Sequence, residues 1–252
     1  MMQNCNFSLE HYFDVLMRLN KDHVIGSVGD YDELRKFKKF LILRHDVDFS
    51  LDYALQMAQK EAQNKIRSTY FILLHSPFYN PFERDNAKII KEISNLGHEI
   101  GLHYDTSFFP NSPKKDVELI NKEIEMLGMI IQKQITSVSQ HIPSETREIF
   151  TNLRNEGLID SRDPEITKQV KYISDSGHYW RDGCMCNHLK NFDRLQILTH
   201  PIWWIDNSNK REKALLTFEK NEKEKLNLKI IEYKDMVKRL LIQLKAPRDE
   251  FE

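Results

Sequence analysis

Apolar and polar positions alternate along the chain with two periods. Ser8 is followed by Leu9, Phe13, Leu16 and Met17, apolar side chains recurring every three or four residues, which predicts an N-capped amphipathic helix. Phe40 to Leu43 is a short apolar run that ends in Arg44-His45-Asp46-Val47-Asp48, the pattern of a buried parallel strand with polar groups at its carboxyl end. Ser50 then caps a helix through Leu55, Met57 and Ala58, and Thr69 to Leu74 reads as a second strand. From Asn86 the apolar spacing of Ile89, Ile90, Ile93 and Leu96 stops at Gly97, a helix-stop signal, and a third strand follows over Glu99 to His103. A loop holds Tyr104 and Asp105, and Val117 to Ile131 is a long helix. Ser137 to Ser139 is a strand ending at Gln140-His141-Ile142-Pro143, and residues 144–156 are helical. Tyr172 to Ser176 and Leu195 to His200 are further strands, and residues 210–245 form a charged helical stretch. Strand and helix in alternation predict an α/β fold with a parallel sheet closed, or nearly closed, into a barrel. In such barrels the reactive residues sit at the carboxyl ends of the strands.

The length of 252 residues suits one domain, with a core at about 38–205 and a helical extension over 210–252. Lys+Arg 37 against Asp+Glu 38 gives a net charge of −1, which offers no electrostatic case for a nucleic-acid partner or an acidic membrane. No apolar run approaches the roughly 20 residues of a bilayer span, so no integral membrane segment is expected. Glu10, His11, Asp14 and Arg18 interrupt the stretch where a secretory signal would be unbroken, and the expected compartment is the cytoplasm. Of the three cysteines, Cys184 and Cys186 are too close for an ordinary bridge or a zinc knuckle. Two thiols without evident partners are expected to stay reduced and metal-free. Ten histidines direct the search for chemistry towards a metal site.

Four strand ends finish in ionisable groups: Asp46 with Asp48, His103, His141 and His200. Imidazole nitrogen and carboxylate oxygen are the ligands of catalytic zinc, which takes three protein ligands and keeps one position open. Asp46 and Asp48 lie two residues apart, so on a regular strand they share a face. For each aspartate the other reading is a cap of the helix near Ser50, and for each histidine a structural hydrogen bond. His45 faces away from the aspartates and His98 follows the helix-stopping glycine, and both read as structural.

Arg44-His45-Asp46-Val47-Asp48, Ser68-Thr69-Tyr70-Phe71 and Gly97-His98-Glu99-Ile100-Gly101-Leu102-His103 resemble, in order and spacing, the successive motifs of the polysaccharide deacetylase superfamily (NodB homology, carbohydrate esterase family 4). The resemblance is strongest over residues 40–110 and extends more faintly to His200. Within the superfamily the chain is most similar to a signal-less branch linked to surface-polysaccharide biosynthesis, through its His-Asp-Val-Asp and Gly-Leu-His-Tyr strand ends and His200-Pro201-Ile202-Trp203-Trp204. The resemblance implies a deformed (β/α) barrel of the NodB type with added N- and C-terminal helices. It implies a divalent metal ion, Zn2+, and hydrolysis of an acetyl or similar acyl group from the nitrogen of a small-molecule or lipid-linked amino sugar.

By the same resemblance Asp46 is the base and Asp48 a metal ligand, with the reverse left open, His103 is a second ligand, and His200 is the general acid. The family's second histidine falls at Ser107, so a replacement ligand is needed. His141 is the first candidate and Asp105 the second. Trp203 and Trp204 are expected as an apolar wall, and Arg44, Tyr104 and Asp175 complete the substrate-side set. Two other readings stay open: a metal-free relative that binds or assembles glycans, and a metal hydrolase of a different C–N bond.

Overall fold

The computed structural model describes residues 5–110, 112–142 and 149–244. The chain forms two compact units, Met1–Asn209 and Lys210–Glu252. In the first, α1 (Leu9–Leu19) is capped by the Ser8 side chain, which accepts from the His11 N–H. There follow β1 (Val24–Gly26), α2 (Tyr31–Leu34), β2 (Phe40–Val47), α3 (Leu51–Gln63), β3 (Thr69–Leu73), α4 (Arg84–Asn95), β4 (Glu99–Tyr104) and α5 (Pro113–Ile131). After these come β5 (Ser137–Gln140), α6 (Ile149–Asn155), β6 (Ile159–Asp160), α7 (Pro164–Thr167), β7 (Lys171–Ser174) and β8 (Arg194–Thr199). The second unit carries one long helix, α8 (Arg211–Gln243). The part of the expected 144–156 helix that precedes Ile149 lies outside the described residues. Among the described residues no helix is long and apolar enough to cross a membrane.

Every strand pairing is parallel. The order is β6-β5-β4-β3-β2-β8-β7, with β1 beside β2. The curl of the sheet follows from two contacts. Gln196 of β8 donates through Nε2 to the Ser161 carbonyl just after β6, at 2.9 Å. Those strands are five steps apart in the order, about 24 Å on a flat sheet at about 4.8 Å per step. A direct hydrogen bond therefore requires the sheet to roll almost onto itself. Arg44 of β2 likewise donates through Nη1 to Ser139 Oγ of β5 at 2.5 Å and to Ser161 Oγ. The result is the expected deformed (β/α) barrel.

Strand parity separates two environments. On β4, Ile100, Leu102 and Tyr104 join the apolar cluster under α3, α4 and α5, while Gly101 and His103 face the barrel interior. Gly101 is glycine for a reason of space, since a Cβ there would stand 2.4 Å from Phe71 Cε1. The helix before it ends with Gly97 at φ +99°, the left-handed stop predicted from the sequence. Four short elements, β1, α2, β6 and α7, were not anticipated. Two to four residues carry too little periodicity to stand out, and the two short strands, β1 and β6, are held by pairing with longer neighbours.

Outside the sheet, a carboxylate is sealed into the layer between β2, β3 and α3. Glu61 is fully buried and accepts from Tyr12 Oη, from Ser68 Oγ at 2.7 Å and from Tyr70 Oη at 2.9 Å, and lies 3.0 Å from His45 Nε2. Burial alone would raise its pKa, but the imidazoles of His45 and His98 and the Tyr12 hydroxyl outweigh it and hold the group at about 2. A carboxyl lowered from 4.5 to about 2 adds stability that is complete above the higher value and fades as the pH falls towards the lower one. Urea titrations of the wild type and Glu61→Gln from pH about 5 to about 3 should therefore diverge, the wild type losing about 2 kcal/mol more over that range. Parallel curves for the two proteins would contradict this account of the buried carboxylate.

Candidate active site

The carboxyl ends of β2, β4, β5 and β8 meet around a cavity of about 510 Å³. Because Arg44, Asp46 and Asp48 alternate along β2 and its continuation, all three side chains reach this cavity, while His45 points the other way to Glu61. His103 arrives from β4, His141 from the residue after β5 and His200 from the residue after β8. The β4–β5 ladder continues one step past the strand, the His141 N–H donating to the Tyr104 carbonyl at 2.8 Å, which fixes where His141 enters. The next residue, Ile142, has φ +40°, a left-handed backbone that a β-branched residue adopts only under constraint.

Three donor atoms converge. His103 Nε2 is 3.4 Å from Asp48 Oδ1 and 3.2 Å from His141 Nδ1, and His141 Nδ1 is 3.6 Å from Asp48 Oδ1. A tetrahedral ion with bonds of about 2.0–2.1 Å separates its ligand atoms by about 3.3–3.4 Å, so the spacing fits zinc closely. The surroundings fit as well. His103 donates Nδ1–H to the Ser139 carbonyl at 2.9 Å, which leaves Nε2 with its lone pair towards the cluster. Asp48 Oδ1 is buried and accepts no hydrogen bond from the protein, as expected of an oxygen reserved for a cation.

Two further groups flank the cluster. Asp46 Oδ2 is 3.6 Å from His103 Nε2, and its Oδ1 is 3.7 Å from Arg44 Nη1. Burial works to raise the Asp46 pKa, but Arg44 first, then His103, His200 and His141, hold it below the usual carboxylate range. His200 Nε2 is 3.8 Å from Asp48 Oδ2, and its Nδ1–H donates to Asp175 Oδ1 at 2.6 Å. Burial would lower the His200 pKa, and the Asp175 carboxylate and its hydrogen bond, with Asp48 and Asp46, raise it to about 9.

The cavity gathers Asp46, Asp48, His103, His141, His200 and Arg44. It does not gather the other expected residues. Tyr104 is fully buried on the opposite face of β4 from His103 and donates to Asp160 Oδ2 at 2.7 Å, as strand parity requires. Trp203 and Trp204 are buried because the chain enters a 3-10 turn directly after His200, which carries both indoles into the core. Asp175 is fully buried behind His200 rather than on the cavity wall. Besides the imidazole it accepts from the His200 backbone N–H at 3.1 Å and from Trp204 Nε1 at 2.8 Å. Ser107 is exposed, its N–H donating to Asp105 Oδ1 at 2.9 Å, and neither residue joins the three donors. On the wall stand Arg162, Tyr172, Tyr179 and Arg181, none of them among the expected site residues. Arg162 follows β6, whose two residues are too short to signal a strand end.

The fold and its rim define a class: a deformed (β/α) barrel with an aspartate–histidine cluster at the carboxyl ends of its strands. No family model matches the chain, and no curated protein matches it in sequence. Among solved structures it is similar to a mutant of the peptidoglycan deacetylase PdaC from Bacillus subtilis, at 14% identity and TM-score 0.48 over 82% of this chain and 97% of that one. It is similar to a family 4 carbohydrate esterase from Bacillus anthracis, at 16% identity and TM-score 0.47 over 88% and 90%. It is also similar to a CE4 family pseudoenzyme from Bacillus anthracis, at 17% identity and TM-score 0.45 over 75% and 62%. The chain spans 62% of that pseudoenzyme and 64% of a mutant of it with restored enzymatic activity. At these identities the likeness is one of fold at most, and the chemistry is decided by the side chains at the rim.

Loss of an outer-shell partner alone costs about 10–100-fold in metal affinity. Loss of a direct donor through His141→Ala should therefore weaken zinc binding at this cluster by more than about 100-fold, measured by chelator competition, whereas Ser107→Ala should leave it unchanged. Equal affinities for wild type and His141→Ala would remove His141 from the cluster.

Proposed function

We propose that this chain is a metal-dependent amide hydrolase that removes an acetyl or similar acyl group from the nitrogen of an amino sugar. One observation carries the reading. Asp48 Oδ1, His103 Nε2 and His141 Nδ1 stand at ligand spacing, with Asp46 on one side of them and an Asp175-held imidazole on the other. A divalent ion held by these three residues, Zn2+ by the chemistry of one carboxylate and two imidazoles, supplies a Lewis acid for the acyl carbonyl and lowers the pKa of water.

The chain's own groups do the rest. Asp46 accepts the proton of the attacking water. Its other oxygen faces Arg44, which is itself held by Ser139 and Ser161 and so fixes the direction in which the base points. His200 presents Nε2 to the cavity and gives its proton to the leaving nitrogen. Asp175 takes the Nδ1–H, which sets the tautomer and the ring plane and favours the imidazolium. Because Trp204 and the His200 backbone N–H both donate to Asp175 Oδ2, the carboxylate is clamped on two sides and serves as a positioning residue.

A cavity of about 510 Å³ lies within the usual range of about 300–1,000 Å³ for small-molecule sites. Arg162 and Arg181 on its wall suit phosphate groups. Both features support an amino sugar carried on a nucleotide or lipid diphosphate, as in precursors of surface glycans, and we assign the reaction to the cytoplasm on that basis.

Zinc-loaded protein incubated with a panel of N-acetylated amino-sugar nucleotides and lipid diphosphate sugars should release acetate. Asp46→Asn should lower kcat by about 10²–10⁴-fold while keeping its zinc. Asp175→Asn should lower kcat with little change in KM. Zinc-loaded wild type that binds these sugars and releases no acetate would contradict the hydrolase reading and leave a glycan-binding relative.

A further inference from the structure

A second cluster of metal-binding side chains lies outside the cavity, built from parts of the chain that the mechanism does not use. The sulfurs of Cys5, Cys184 and Cys186 and a ring nitrogen of His11 all lie within 4.8 Å of one another. The Cys5 and Cys186 sulfurs are 3.1 Å apart, and His11 Nε2 is 3.2 Å from Cys184 Sγ. The expectation that Cys184 and Cys186 lack partners is thereby overturned: the fold brings a third thiol and an imidazole to them from the far end of the sequence. None of the three cysteines is in a disulfide, and 3.1 Å is well beyond the roughly 2.0 Å of a sulfur–sulfur bond.

We propose that these four residues form a closed Cys3His site for a structural zinc ion, separate from the centre in the barrel. Three sulfurs and one imidazole nitrogen make a complete tetrahedral set with no position left for water, the composition of structural rather than catalytic zinc. With bonds of about 2.3 Å to sulfur and about 2.0–2.1 Å to nitrogen, such a set spans about 3.6–3.8 Å between donors. The two close contacts need to open by only about half an ångström to admit the ion. His11 and Cys184 are largely buried and hold the inner half of the site, while Cys5 is exposed and closes it from outside. On binding, the three thiols give their protons to solvent, so the filled site carries one net negative charge.

Position gives the site its consequence. His11 lies in the first turn of α1, whose start is fixed by the Ser8 cap, and between β7 and β8 Cys184 stands at the N-cap of the 3-10 turn Met185–His188, which contains Cys186. That connection also carries Asp175, Tyr179 and Arg181. Phe7, between Cys5 and His11, stacks on His178 with ring centroids 3.9 Å apart and lies 5.1 Å from Trp204, the residue that donates to Asp175. An ion here ties the N-terminal segment to the connection and braces the layer that holds the Asp175–His200 pair.

The test uses the full chain, purified under reductant, stripped of metal and refilled with cobalt(II). The wild type should take up two equivalents and show a thiolate-to-cobalt charge-transfer band in the near ultraviolet. Cys184→Ser and Cys5→Ser should each lose that band and one equivalent; the exposed position of Cys5 makes the second variant safe for folding. Asp48→Asn should lose the other equivalent and keep the band, so the two sites fail separately. Cobalt-loaded protein with no thiolate band while all three thiols titrate as free would overturn the proposal. So would a Cys5–Cys186 disulfide in the reductant-treated protein.

Discussion

Strand β2 and the residue after it send Arg44, Asp46 and Asp48 into the barrel and His45 and Val47 out towards the helices, and a slip of one residue would exchange the two sets. Both sides are tied down. Inside, Arg44 reaches Ser139 and Ser161 across the curled sheet, with its guanidinium over the rings of Phe71 and Tyr172. Outside, His45 is held between Thr199 and Glu61. Each charged group on the strand thus has a partner that only the native register supplies, and the same register puts two carboxylates at the rim.

Buried charge is costly unless it is paired, and this barrel pairs it in layers. Behind the rim, Glu61 takes two tyrosine hydroxyls, a serine and an imidazole. Beneath the rim, Arg44 faces Asp46. At the rim, Asp175 gathers three donors from His200 and Trp204. Asp48 keeps a buried Oδ1 that accepts no hydrogen bond, and two imidazole nitrogens stand within 3.6 Å of it. Such an arrangement is satisfied by a cation at the point where the three atoms meet.

Much of this was legible in the sequence because strands announce their carboxyl ends. The apolar run before Arg44, the strand that starts after the Gly97 stop and reaches His103, and the Ser-Val-Ser strand before His141 each place a polar side chain where a parallel barrel opens. Parity was legible too but misapplied at Tyr104, which follows His103 directly and so faces the helices. Trp203 and Trp204 follow His200 closely in the sequence and Asp175 sits in a loop at a strand end, and local pattern alone puts all three on the substrate side. Their roles are tertiary, set by a 3-10 turn and by the hydrogen bonds of Asp175 with His200 and Trp204 that no local pattern encodes. The cysteine cluster was invisible for a related reason, since Cys5 and Cys186 are 181 positions apart and meet only once the barrel is built.

Whether a metal ion occupies the point enclosed by Asp48, His103 and His141 is tested directly by anomalous diffraction at the zinc edge from crystals of the zinc-loaded protein. The account predicts a peak within about 2.0–2.2 Å of Asp48 Oδ1, His103 Nε2 and His141 Nδ1. Zinc found at the cysteines alone, with nothing between those three atoms, would contradict it.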